Sequence, residues 1–306
     1  MGERKCVDKF GVEVYNKEDF KEYVMSENCT HDCSSCSSNC SSRKKDKQSL
    51  LKVPHKNSSI KKVIGVVSGK GGVGKSLTTA LLAALAQKRG YSVGIMDADI
   101  TGPSIPHIFG VHERATGSEA GIDTVLSPSG MQLMSMNLLL DAENSPVVWR
   151  GMVISGTVMQ FWTDVIWKDV DLLFIDMPPG TGDVPLTVFQ SIPISGIVVV
   201  TTPQDLVKMV VEKAINMAGI MNVPVLGLVE NMSYLSCPDC GKKIEIFGHS
   251  KANTIAAEYG IPAVAKMPLD EKISVLADAG RIEDYQTDAL DDVFAQIEMA
   301  AAKEIK

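Results

Sequence analysis

The sequence predicts an α/β fold, a doubly wound and mainly parallel sheet with helices on both faces. Three observations lead there. From Ile60 onward, short β-branched runs alternate with longer Ala- and Leu-rich stretches, the pattern of strands joined by crossover helices. The first such pair, 62–67 and 77–89, flanks a glycine-rich loop, Ser68-Gly69-Lys70-Gly71-Gly72-Val73-Gly74-Lys75-Ser76. Finally, Asp97 and Asp176 each follow an apolar run, at the carboxyl edge where parallel sheets bind their ligands.

Taken in order, residues 1–59 read as a Cys-rich extension and linker, and 60–306 as one α/β domain. The stretch 28–47 is nearly all Ser, Cys, Asn, Asp, Lys and Arg and cannot bury enough apolar surface to fold alone. A short helix is expected over 16–25. Arg43, Lys44, Lys45 and Lys47 form a basic run broken by Asp46, with no aromatic residue for base stacking, so it reads as solvated linker. In the domain, 62–67 is a buried strand and 77–89 a helix ending at Gly90. Strands follow at 93–96, 131–136, 172–175, 196–200, 225–229 and 263–267. Helices are expected over 206–221, 251–259, 271–279 and 288–305. The methionines of 131–136 alternate and read as core.

The 306 residues are 45% hydrophobic and 22% charged, ordinary for a soluble chain with an ample core. A formal net charge of −7 argues against general nucleic-acid binding. No apolar run reaches the length of a membrane span, and the charged start lacks the apolar core of a signal peptide, so a cytoplasmic location is expected. In that compartment thiols stay reduced, and the clustering of the seven cysteines then suggests metal rather than disulfides.

The glycine loop contains Gly-x-x-x-x-Gly-Lys-Ser, the phosphate-binding pattern, in the strand–loop–helix context it needs. Its glycines let backbone N–H groups face phosphates, and the helix N-terminus adds partial positive charge. Lys75 can reach the β- and γ-phosphates of ATP, and the Ser76 hydroxyl can ligate Mg²⁺. Asp97 and Asp99, two residues apart after a strand, can position Mg²⁺ waters and a nucleophilic water; capping the next helix is the simpler alternative. Asp176 ends an apolar strand in the Walker B manner and would hold Mg²⁺. The following Pro178-Pro179-Gly180-Thr181-Gly182 can act as a switch beside a γ-phosphate. Cys237-Pro238-Asp239-Cys240-Gly241 is a knuckle that alone suits zinc or an iron–sulfur cluster equally; no second pair follows. Cys29, Cys33, Cys36 and Cys40 form a second candidate site, for iron–sulfur or zinc. Cys6 has no assigned role, and the five histidines show no ligand spacing.

The second lysine, Lys70, makes the loop resemble the deviant Walker A loop of the MinD/ParA/nitrogenase-iron-protein class of ATPases. That resemblance implies a homodimer in which Lys70 reaches the partner's nucleotide, with Asp99 placing the attacking water and Asp97 nearer the Mg²⁺ shell. Glycine loop, Asp97-Ala98-Asp99-Ile100-Thr101-Gly102-Pro103-Ser104, Trp149-Arg150-Gly151, the Asp176–Asp183 stretch, Thr202-Pro203-Gln204, Glu230-Asn231-Met232-Ser233 and the knuckle occur in one order. Together, over about 60–280, they are similar to the Mrp/ApbC family of iron–sulfur cluster carrier ATPases. The resemblance implies that Asn231 contacts adenine. It also implies that Cys237 and Cys240 from two chains hold a [4Fe–4S] cluster for transfer to apoproteins. Two departures are Met152, where the family has proline, and 206–211, which lacks Ala-Leu-x-Asp-Val. Rival expectations are an ATP-dependent iron–sulfur reductase and a partitioning or positioning ATPase with a structural zinc knuckle. The latter calls for a basic surface or an amphipathic terminal helix, whereas 291–298 is acidic.

Overall fold

The computed structural model describes residues 50–140, 151–204 and 207–302. Cys6, Cys29, Cys33, Cys36, Cys40, the helix expected over 16–25, the basic run, Trp149, Arg150 and the side chains of Met152 and 205–210 lie outside the described residues.

In chain order the elements are β1 (Ile60–Ser68), α1 (Lys75–Lys88), β2 (Val93–Asp97), α2 (Ile105–Ile108), β3 (Gly117–Ser118), β4 (Gly121–Asp123), β5 (Val125–Leu126) and β6 (Gln132–Met134). After them come α3 (Gly151–Thr163), β7 (Val165–Ile166), β8 (Val170–Asp176), α4 (Asp183–Ser191), β9 (Gly196–Thr201), α5 (Val207–Ile220) and β10 (Val225–Ser236). The chain continues through β11 (Lys243–Ile244), α6 (Ala252–Tyr259), β12 (Val264–Pro268), α7 (Glu271–Asp278) and α8 (Asp291–Ala302).

The main sheet runs β11-β10-β9-β1-β8-β2-β6-β5, with β12 also on β10. Its pairings are parallel except at the two edges, where β11 and β5 run antiparallel to β10 and β6. The pleat splits each central strand between two cores. Ile64 and Val66 of β1, Leu172 and Phe174 of β8, and Val198 and Val200 of β9 meet α1 and α8 through Leu82, Val293, Phe294 and Ile297. Their neighbours Val63, Val67, Leu173, Ile175, Ile197 and Val199 face the other side, with Phe161 and Trp162 of α3, Val188 of α4 and Ala214 of α5. Burial on both faces explains why these strands read as continuous apolar runs.

Among the described residues, the elements expected from sequence are present, with shifted ends. The run 131–136 gives a strand of three residues and then a 3₁₀ turn over Met136–Leu138. The run 225–229 extends to Ser236, so β10 has 12 residues. The last helix ends by Ala302 among the described residues. Helices α3 and α4 and the small sheet β3-β4-β7 were not anticipated. Residues 52–59 also bond to the domain. Lys52 N–H donates to Ser191 O (2.8 Å), Trp162 Nε1 to Lys52 O (2.8 Å) and Ser59 N–H to Trp167 O (2.8 Å). A truncation that keeps these bonds ends at Ser49. Among the described residues no helix is long and apolar enough to cross a membrane.

Candidate functional site

The glycine loop connects β1 to α1 at the carboxyl edge of the sheet, as the sequence leads one to expect. Gly72 and Gly74 have φ of 77° and 81°, the left-handed region that turns backbone N–H groups inward. Gly74 also has no room for a side chain: a Cβ there would lie 2.1 Å from Asn231 Nδ2. Helix α1 begins at Lys75 with no acidic residue in its own first turn, so its N-terminal field favours an anion here. A cavity of about 300 Å³ opens here, lined by Lys70, Gly72, Lys75, Ser76, Asp99 and Pro179 among others. The Pro178–Gly182 loop lies over it, held by Gly180 N–H to Ser68 O (2.8 Å).

The charged groups are arranged in two sets. Lys75 Nζ lies 2.8 Å from Asp176 Oδ1 and 3.9 Å from Asp99 Oδ2. Ser76 Oγ donates to Asp176 Oδ2 at 2.5 Å, and Thr79 Oγ1 donates to Asp176 Oδ1 at 2.8 Å. Hydroxyl and carboxylate oxygens of this kind suit a hard divalent cation, so Ser76 and Asp176 fit Mg²⁺. Asp97 sits beside Asp176, in register across β2 and β8, but its oxygens serve its own loop. Oδ1 accepts from Asp99 N–H (3.1 Å). Oδ2 accepts from Ser104 N–H (3.2 Å), Ile105 N–H (3.3 Å) and Ser135 Oγ (3.1 Å). Asp97 thus shapes the loop that carries Asp99.

Burial pushes Asp97 up to about 7; the Asp176 charge adds to this, while Lys75 and the N–H groups of Ile105 and Asp99 oppose it. Burial also raises Asp99, against Lys75. Lys70, at the rim, donates from Nζ to Gln204 Oε1 of its own chain, in the loop after β9. Sequence reasoning gave no role to Thr79, Ser135 or Gln204. Thr79 is three residues past Ser76 on α1 and so shares its face, a signal that was available. Ser135 follows β6, whose pairing with β2 could not be read locally.

Strand β10 carries the second half of the site. Asn231 is buried, donates from Nδ2 to Val73 O (3.0 Å) and accepts Met232 N–H on Oδ1 (2.9 Å). It lies against the glycine loop itself. Met232 has φ 55°, unusual for a residue with a side chain, and the register with β12 slips between Glu230 and Tyr234. Beyond this kink β10 runs out to Ser236 and turns back as β11, pairing Ser236 with Lys243 and Leu235 with Ile244. The loop between them holds Cys237 and Cys240. Cys237 N–H donates to Lys242 O (2.9 Å) and Gly241 N–H to Cys237 O (2.9 Å). The Cys240 N–H first, then that of Asp239 and the Cys240 thiol, hold the Cys237 thiol below its ordinary 9.0. No third metal-binding side chain joins the pair among the described residues. A second cavity, of about 440 Å³, lies among Pro193, Pro224, Pro262 and Met299 near the starts of β9, β10 and β12, away from this chemistry.

A parallel sheet, a glycine loop entering a helix, and an acid on the neighbouring strand bonded to the loop's serine define a P-loop nucleoside triphosphatase. The match goes further. The model of the ParA family of NUBPL iron-transfer P-loop NTPases covers residues 59–303, and the chain belongs to that family. An iron-sulfur cluster carrier protein of Clostridium perfringens is 43% identical over 267 residues, spanning 83% of this chain and 94% of that one. One from Methanocaldococcus jannaschii is 42% identical over 257 residues, spanning 82% and 89%. Among solved structures, a nucleotide-binding protein from Archaeoglobus fulgidus in complex with ADP is 44% identical with a TM-score of 0.69, covering 76% of this chain and 91% of that one. The cell division ATPase MinD of Pyrococcus furiosus, 19% identical with a TM-score of 0.54 over 78% of this chain and 98% of its own, shares the fold.

Proposed function

We propose that this chain is an ATP-hydrolysing carrier that binds a [4Fe–4S] cluster as cargo through Cys237 and Cys240 and passes it to apoproteins. The observation that supports this reading best is strand β10. One continuous strand places Asn231 on the phosphate loop and, six residues on, a two-cysteine hairpin at the surface. The carrier relatives, similar over most of both chains, point the same way. One chain offers two thiolates here, so four-sulfur ligation takes two chains in a homodimer about a two-fold axis. The domain division at the linker and the second cysteine set, Cys29, Cys33, Cys36 and Cys40, belong to the same reading, with iron–sulfur favoured over zinc there.

In this mechanism the loop N–H groups and Lys75 hold the ATP phosphates; Ser76 and Asp176 would hold Mg²⁺, which would supply neutralising charge to the phosphate oxygens. Asp99, kept in place by the Asp97-centred loop, orients the attacking water. Lys70 leaves Gln204 to reach the nucleotide of the second chain, where its charge stabilises the transferring phosphoryl group. Asn231, held against the glycine loop through Val73 O, would contact the adenine, as the family resemblance implies. A compartment of reducing thiols, the cytoplasm, suits such chemistry.

The test is anaerobic purification of the chain lacking residues 1–49, with iron, sulfide and zinc analysis and a visible spectrum. The reading expects about four irons per dimer, lost in Cys237→Ser and Cys240→Ser, and transfer to an apoprotein that needs a cluster. Zinc at one per chain would return the knuckle to a structural role. A cluster that is reduced repeatedly at the cost of ATP but never leaves would favour a reductase.

A further inference from the structure

Every residue from Pro238 to His249 is exposed in the single chain. Within this stretch stand three large apolar side chains in four residues: Ile244, Ile246 and Phe247, at 45%, 49% and 39% exposure. Ile244 ends the second strand of the hairpin, and Ile246 and Phe247 follow it in the next turn. The β10–β11 pairing fixes the base of the hairpin, the Cys237–Lys242 and Gly241–Cys237 bonds fix its tip, and Lys243 Nζ stands 4.1 Å over the Tyr234 ring. Two isoleucines and a phenylalanine facing water at the end of a held hairpin and in the turn after it, with Lys242, Lys243, Glu245 and His249 beside them in the chain, mark a contact surface.

We propose that Ile244, Ile246 and Phe247 form an apolar collar that packs against the same three residues of a second copy of this chain and seals the shared thiolates from water. The occupant follows from the donor count. Cys237 and Cys240 have no third ligand among the described residues, and in the shared-cluster reading the two further sulfurs come from the same pair of a second chain. A two-fold axis through the cysteines sets each hairpin against its twin. The collar lies four to ten residues from the thiols, on that hairpin and the turn after it, so a contact about this axis is isologous and self-complementary. Its chemistry fits a seal, because solvent exposure governs the stability and potential of thiolate-bound clusters and an aliphatic–aromatic rim keeps water out. Its small size suits a contact that opens again for release, since three half-exposed side chains from each copy make only a weak interface. The proposal rests on the reading of these cysteines as a shared cluster site.

The test uses the full chain with Phe247 replaced by the photo-crosslinker p-benzoylphenylalanine, loaded anaerobically with iron and sulfide, irradiated, and mapped by mass spectrometry. MgADP affinity is measured in parallel, and iron content is compared with that of the same chain carrying Cys237→Ser and Cys240→Ser, the difference being the iron held by this pair. The expected result is a covalent dimer whose cross-links fall within residues 237–249 of the second copy. A second variant, Ile246→Ser with Phe247→Ser, should raise the dimer dissociation constant at least tenfold in sedimentation velocity, with MgADP affinity within about twofold of the parent. Iron bound through Cys237 and Cys240, with cross-links only inside one chain, overturns the collar and leaves the carrier reading intact. Cross-links to 237–249 of a second copy without iron at Cys237 and Cys240 sink the carrier reading and overturn the seal, leaving a bare contact between copies. Cross-links to an added apoprotein alone assign the surface to the recipient and overturn the proposal.

Discussion

Replacing Asp97 with asparagine tests the electrostatics of the site by way of stability. Burial and the neighbouring Asp176 push this carboxyl from its ordinary 3.8 up to about 7. The folded chain therefore keeps the proton up to about pH 7, while the unfolded chain releases it near 3.8. A group raised in this sense contributes stability that is full at acid pH and lost as pH rises through its folded value. Between about pH 5.5 and about pH 8.5 the loss corresponds to about 1.5 pH units of proton linkage, about 2 kcal/mol. Asp97→Asn removes that dependence at nearly constant volume. Its oxygen can keep the Ser104, Ile105 and Ser135 donors, but its amide then faces the Asp99 N–H. That costs about 1–3 kcal/mol at every pH. The variant should be less stable than the parent at about pH 5.5, and about 2 kcal/mol of that gap should close by about pH 8.5. Urea unfolding followed by circular dichroism, with EDTA and no nucleotide, gives the difference, and the shifted Asp99 contributes to both proteins alike. Two stability curves that stay parallel across this range would falsify the argument, since Asp97 would then be ionised throughout.

Further outcomes follow from other contacts. Thr79→Val keeps the shape of α1 but takes one donor from buried Asp176; it should cost about 1.5–3 kcal/mol and weaken MgADP more than ADP by calorimetry, with Thr79→Ser restoring both. Equal weakening of the two ligands would count against a role at the cation. Gly280→Ala places a Cβ 2.3 Å from Gly110 Cα at φ 67°, so thermal unfolding should show a loss of at least about 1–3 kcal/mol; an unchanged melting temperature would mean the two glycines do not touch. Cys237 should alkylate with a pH midpoint below 9.0 and below that of a free cysteine, read by peptide mass spectrometry, because N–H groups stabilise its thiolate.

The parts of the fold legible in the sequence were those with a strong local cause. Central strands buried on both faces leave unbroken apolar runs, and 62–67, 172–175 and 196–200 were read from that alone. The phosphate loop was legible because its glycines and its strand–helix context coincide. Helix α3 was not, because it is nearly apolar all round, with Val158, Phe161 and Trp162 buried, and so lacks the polar face that signals a helix. The small sheet β3-β4-β7 depends on pairing between Ile122 and Val165, which nothing nearby in sequence announces. The same divide runs through the site. Lys75, Ser76, Asp97, Asp99 and Asp176 carry motif spacing. The dependence of Asp97 on Ser135 and of Lys70 on Gln204 arises only when β6 and β9 take their places beside β2 and β1.

The spacing of Asn231 and Cys237 acquires its meaning from the path of β10. A straight strand would carry a change at the phosphate loop past the hairpin base without turning it. Here Asn231 holds Val73 O, Met232 takes a left-handed conformation, and Leu269 N–H, just before α7, donates to Tyr234 O at 2.7 Å. The far end of α7 abuts α2 through Gly280 and Gly110, and α2 starts at the Ser104–Ile105 amides bonded to Asp97. The cysteine hairpin is thus tied to the nucleotide loops twice, along β10 to the glycine loop and through α7 to the Asp99 loop. Packed contacts of this kind transmit a change only where some element has two arrangements. In the reading proposed above, that element is the meeting of two hairpins. On that reading it would bring together the thiolates and the apolar collar, with Lys70, bonded to Gln204 in the single chain, as the group that would answer to ATP.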